Sequence, residues 1–311
     1  MTDFVQTLVS SITVGSLYAL IALGYTMVYG ILRFINFAHS DIVVLGAWTS
    51  FTVATRAGFT DQNAPWWAGL VVLLAAVACC SLVGFLIERF AYRPLRRSPR
   101  LNILITAIGV SLLLQNIGIQ SWAFGTSPQR MPALWANRDL IRLTFSSGTV
   151  VIGLVDVLIL GLSAVLMVVL HYVVFHTSLG RAMRAISFNP DTAALMGIPV
   201  DRIVSMTFVL GSALAASAGF LFVMKYPAAL NHPAEPVWVL LGLKAFVAAV
   251  VGGIGSIRGA VFGGFVIAFV EQFGMFYISA SYRDVYVFGL LVLILLFRPT
   301  GILGSTLREK V

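Results

Sequence analysis

The chain has 311 residues, of which 59% are hydrophobic and only 10% charged, with a formal net charge of +8. Soluble domains carry about 25% charged residues, so a water-facing globule of this size could not be clothed with what this chain provides. The same hydrophobicity excludes disorder, and a disulfide scaffold is excluded because the two cysteines, Cys79 and Cys80, are neighbours inside an apolar run. What remains is an all-α polytopic integral membrane protein.

A span needs about 20 mostly apolar residues, because a helix rises 1.5 Å per residue through a core of ~30 Å. In chain order the candidates are Phe4–Ile31, Asp41–Thr55, Trp66–Ile87, Leu101–Phe124, Val150–Phe175, Ile203–Tyr226, Val237–Val251, Ala260–Ile278 and Val285–Phe297. Some are short or broken, so about eight or nine transmembrane helices are expected, in a single transmembrane domain over residues 1–311. The first run lacks a basic flank and outlasts a signal-peptide core, so it reads as a span.

The positive charge lies at the ends of these runs and not along a face interleaved with aromatics, which argues against nucleic acid. Arg89, Arg93, Arg96, Arg97 and Arg100 share one short polar gap. Basic loops stay cytoplasmic. Placing Arg89–Arg100 and Arg181–Arg202 there puts the N-terminus outside and the tail with Arg298, Arg308 and Lys310 inside. The segment Gly125–Gly148, with Arg130, Arg138 and Arg142, then falls outside. Its Pro128, Pro132 and Trp135 suggest an ordered external loop.

No catalytic constellation is visible. Lys225, Lys244 and Lys310 follow Met, Leu and Glu, so no Gly-Lys-Ser/Thr phosphate loop exists and the chain is expected to bind no ATP and to be no enzyme. Gly253-Ile254-Gly255 joins two membrane runs and not a strand to a helix, so it is no dinucleotide turn. His171 and His176 are five apart and His39 and His232 are isolated, so no metal site is expected. No Gly-x-Ser-x-Gly elbow occurs.

Three segments do carry signal. Asn36-Phe37-Ala38-His39-Ser40-Asp41 is a polar knot between apolar runs, either a capped cytoplasmic turn or a broken helix whose Asn36 and His39 line a path. Gly252-Gly253-Ile254-Gly255, followed by Gly259 and Gly263, permits unwinding beside a path or close helix packing. Gly211, Ala215 and Gly219 form a similar stripe for which packing suffices. In the loop at about 177–202, Asn189 is a good N-cap, Pro190 suits the first helical position, and Asp191 favours the positive helix end. Ala193, Ala194, Leu195 and Met196 continue the turn, Gly197 stops it, and Pro199 blocks its resumption. That predicts a helix of about seven residues, too short to be stable alone. It either docks on a partner through Leu195 and Met196 or packs on its own membrane domain.

Two charges fall inside spans. With Gly255 at the centre of a turn, Lys244 and Glu271 differ in depth by roughly 8 Å, a gap that their side chains bridge. They form a buried ion pair, or one of them faces the path and meets a zwitterionic substrate.

Together the segments carry a resemblance. SLYALIALGYTMVYGILRFINFAHSD, ERFAYRPLRRSPRL, GRAMRAISFNPDTAALMGIPVDRI, GLKAFVAAVVGGIGSIRGAVFGGFVIAFVE and RPTGILG are spread over nearly the whole chain. They resemble the permease subunit of ATP-binding-cassette importers for branched-chain amino acids. Ser40 departs from the family's usual Gly, and Arg258 stands where a proline is common. The resemblance implies a multi-pass subunit of the bacterial inner membrane. It implies a second homologous permease, two cytoplasmic ATPases carrying the ATP, and a periplasmic binding protein. It makes Asn189–Gly197 the element that couples to an ATPase. Urea, amide and aromatic-acid permeases share similar subunits, so the cargo stays open among them. An ion-coupled secondary transporter or a channel is the rival of a different class.

Overall fold

The computed structural model describes residues 2–61, 63–96, 98–135, 139–145 and 148–304. Arg97, Arg138, Arg308 and Lys310, used above for orientation, lie outside the described residues.

Each of the nine apolar runs contains a helix. The order is α1 (Thr2–Leu32), α2 (His39–Arg56), α3 (Ala68–Ile87) and α4 (Arg100–Gly118), then α5 (Leu154–His176), α6 (Ser178–Phe188), α7 (Pro190–Leu195) and α8 (Val200–Lys225), and last α9 (Pro236–Gly252), α10 (Ile257–Tyr277) and α11 (Arg283–Phe297). Among the described residues seven helical segments are long and apolar enough to cross a membrane, and α9 is a shorter apolar helix.

α1 and α8 are the most enclosed spans, and α2, α9 and α10 pack around them. Glycine permits this closeness. A Cβ on Gly219 would stand 2.2 Å from the Val43 carbonyl oxygen, and one on Gly46 2.6 Å from Ala216 Cα, so α2 and α8 touch backbone to backbone. Gly264 does the same for α10 against Ala19 of α1. Gly211, Ala215 and Gly219 therefore act in packing, as expected. α3, α4, α5 and α11 form the outer layer and turn Leu74, Leu113, Val168 and Leu296 outward, as lipid-facing flanks do.

The two ends differ. One gathers Arg33, Arg89, Arg93, Arg184, Arg258 and Arg298 and is called the basic end here. At the other end the connections interlock: Gln129 N donates to Leu230 O (2.9 Å), Met131 N to Pro227 O (3.1 Å) and Trp135 Nε1 to Trp66 O (2.9 Å). Two strands, β1 (Asp139–Phe145) and β2 (Gly148–Gly153), pair antiparallel and are tied to α1 by bonds in both directions between Gln6 and Val151. An ordered loop was expected in this region; strand pairing was not. It also moves the start of the fifth span. Val150–Gly153 pair with β1, where β-branched residues fit a pleated surface, and α5 begins only at Leu154, with Asp156 closing its first turn onto Gly153 N. The fourth run likewise ends as a helix at Gly118, and Phe124 turns back to stack on Trp48.

Candidate functional site

The polar knot is a broken helix. Arg33 takes a left-handed conformation (φ 53°), ending α1, and the chain folds back before α2 starts at His39. A Cβ on Gly24 would lie 2.4 Å from the His39 ring, so His39 stands level with a residue eight positions before the end of α1. At 1.5 Å per residue that is about 12 Å inside the bundle. The α2 N-terminus has no side-chain cap, and such irregular backbone is tolerated at depth only against protein or a polar cavity.

The side chains around it are polar and buried. Asn36 accepts a 2.6 Å bond from Tyr92 Oη, and the His39 ring lies edge-on to Tyr25 with centroids 4.5 Å apart. Asp41 Oδ1 accepts from Gln115 Nε2 of α4 at 2.9 Å. Four buried polar atoms here, Thr26 Oγ1, Asn36 Nδ2, His39 Nε2 and Asp41 Oδ2, have no hydrogen-bond partner among the described residues. Buried polar groups are nearly always paired, so their concentration at one helix break sets this region apart from the rest of the bundle.

Lys244 and Glu271 form the ion pair that their depths predict, at 2.6 Å. The pair is part of a longer chain. Tyr18 Oη donates to Glu271 Oε2 (2.6 Å), and Lys244 Nζ also meets Asp284 Oδ1 of α11 (2.7 Å). Both Glu271 oxygens and the ammonium are thereby occupied, binding α1, α9, α10 and α11.

The glycine run is a packing joint. Cβ atoms on Gly252 and Gly259 would each strike the other's backbone, at 1.9 and 2.4 Å from carbonyl oxygens. Gly253 (φ 108°) abuts Gly304, while Gly255 (φ 90°) faces open space. The RPTGILG segment supplies the reason. Ile302 N donates to Val251 O (2.8 Å) and Leu303 N to Gly252 O (3.0 Å), answering carbonyls that the end of α9 leaves free.

At the basic end the short capped helix is present. Asn189 Oδ1 accepts from Asp191 N and Thr192 N, each at 3.0 Å, Pro190 opens α7, and Gly197 (φ 81°) ends it. Ala193 and Ala194 sit within α7, and Leu195 and Met196 project from it, 87% and 79% exposed. Beside α7 lies an open groove of about 740 Å³ lined by Phe85, Arg89, Arg93, Ala194, Ile198 and Met206, among others.

The comparisons with known proteins fit this arrangement. Residues 7–296 match the family described as branched-chain amino acid transport system / permease component. The chain belongs to this family. It is 42% identical over 99% of its length to 98% of BraD from Pseudomonas aeruginosa, a high-affinity branched-chain amino acid transport system permease protein. LivH from Escherichia coli K12, of the same description, is 39% identical, with 99% and 98% of the two chains covered. LivM from Salmonella typhimurium, a further permease protein of such a system, is 28% identical over 94% of this chain and 69% of its own length.

The permease thus holds its candidate residues in four places: Asn36 and His39 at the break, Lys244 and Glu271 in the charge chain, 189–197 at the basic end, and Gly252, Gly253 and Gly255 in the joint of α9 and α10. Sequence reading placed Asp41 in the knot only as a possible cap, and it missed Tyr18, Gln115 and Asp284, whose contacts depend on which helices touch. It also missed a cluster at the basic end. Glu88, wholly buried, pairs with Arg96 and accepts from Ser205, while Arg96 Nη1 meets Asp201 Oδ1 at 2.7 Å and Arg93 also binds Asp201. The signal was a lone Glu88 opening an otherwise arginine-rich gap.

Proposed function

We propose that this permease is the membrane-spanning subunit of an ATP-driven importer that carries branched-chain amino acids across a bacterial inner membrane. The observation that carries the reading is the match to BraD over nearly both chains at 42% identity. On this reading the chain binds no ATP itself. It works with a second homologous permease, two cytoplasmic ATPases that engage α7, and a periplasmic protein that delivers the amino acid. The basic end faces the cytoplasm, in line with the positive-inside rule.

The packing of α7, α8 and α2 supports the following route for the stroke. An ATPase pressing on Leu195 and Met196 moves α7, which Ile198 and Pro199 join directly to α8. The Arg93–Asp201 and Arg96–Asp201 bridges tie the foot of α8 to the end of α3, so the two move together. α8 in turn presses on α2 through Gly219 and Gly46, backbone against backbone, where a packed interface transmits displacement with little slack. The element displaced is the helix that begins at the break.

Uptake of labelled leucine by the complex reconstituted from permeases, ATPases and binding protein tests this. Leucine uptake that depends on ATP and is not competed by urea is expected. Transport that survives inactivation of the ATPases and collapses with the ion gradient would make this a secondary carrier.

A further inference from the structure

We propose that the cavity between α2 and α4 is an intramembrane subsite for the primary ammonium group of an aliphatic substrate, with Asp41 as its counter-charge. This deepens the importer reading and rests on it for the identity of the cargo. The cavity has a volume of about 60 Å³ and is lined by Asp41, Gln115, Leu45, Leu114, Phe124 and Pro233, among others. One water needs roughly 10–15 Å³ on this measure, so a headgroup with its first carbons fits.

Three observations converge on Asp41. The residue is 5% exposed, Gln115 donates to Oδ1 with the Ser111 hydroxyl also against the carboxyl, and Oδ2 is buried without a hydrogen bond of good geometry among the described residues. A buried carboxylate without a counter-charge is costly by several kcal/mol, so an occupant that brings positive charge is favoured there. The positive end of α2, where Asp41 sits in the first turn, sustains the carboxylate. An ammonium has three donors. Asp41 Oδ2 takes one of them. The rest of the lining is apolar, as the branched tail of such a molecule requires.

The charge chain of Tyr18, Glu271, Lys244 and Asp284 does not compete for this role. Both Glu271 oxygens are already bonded, and its nearest cation is built in. Asp41 has no cation of its own among the described residues and borders a cavity. One wall of the cavity is α4, which packs on α2 and holds Asp41 through Gln115.

The test uses the full complex in nanodiscs, with Cys79→Ala and Cys80→Ala and a reporter Ile117→Cys at the cavity wall. Alkylation of the reporter is followed with 3-methylbutylammonium or, as the neutral isostere, 3-methylbutanol. At ten times the dissociation constant the ammonium slows alkylation about tenfold, the alcohol does not, and Asp41→Asn abolishes the protection. Equal protection by the alcohol in the unmodified cavity, or protection that persists in Asp41→Asn, overturns the proposal. The alcohol comparison stands even if Asp41→Asn fails to insert. Protection without leucine uptake would refute the cargo reading and leave the ammonium site standing; leucine uptake without protection would do the reverse.

Discussion

Lys244 stands between two carboxylates, and its removal leaves Glu271 without a cation and Asp284 with only Arg283, at 3.7 Å. Breaking a buried pair from one side costs about 3–5 kcal/mol, since the partner charge stays buried. Lys244→Met is therefore expected to lower the thermal midpoint of the detergent-solubilised permease steeply. Adding Glu271→Gln should restore much of the loss, because Asp284 is partly exposed and can reach solvent. Fluorescence-detected size exclusion after heating measures both. A double mutant that is stable and still transports marks the cluster as scaffolding; one that is stable and transport-dead assigns it to the path. The pair itself was legible from helix rise alone, since depth is a one-dimensional quantity. Tyr18 and Asp284 were not, because nothing local says that α1 and α11 flank the same face of α10.

At the scale of an element, α7 shows how far capping chemistry reaches. Asn189, Pro190 and Gly197 each have a local role, and the structure contains the helix they outline, ending at Leu195 with Met196 as its C-cap. Gly197 meets nothing within 4 Å, so only its positive φ constrains it. Gly197→Val should leave the subunit inserted and stop transport, since a β-branched side chain resists the left-handed region. Gly197→Asn, which tolerates that region, should keep most of it. Membrane accumulation against leucine uptake separates these outcomes, and normal uptake in Gly197→Val would remove α7 from the coupling route. α6 was not foreseen. Its apolar positions Gly180, Met183 and Ile186 recur every three residues within an arginine-bearing stretch that reads as a polar loop, and its N-cap, Thr177, follows the preceding span without a break. Hydropathy finds spans and overlooks lateral helices whose burial is one-sided.

For the whole molecule, sidedness is the expectation that the most residues share. With the native cysteines replaced, Ser98→Cys should resist an impermeant thiol reagent added to intact spheroplasts, while Thr149→Cys on β2 should react. The opposite pattern would invert the permease. One joint within the bundle also bears on how the chain is made. The carbonyls of Val251 and Gly252 are answered by Ile302 and Leu303, which lie beyond α10 and α11 in the sequence. During synthesis α9 must therefore wait, its last turn unsealed, until two further helices have been threaded and the following segment has doubled back. A nascent chain stalled before that point displays open backbone at the bilayer surface, so the glycine joint distinguishes a finished subunit from an unfinished one.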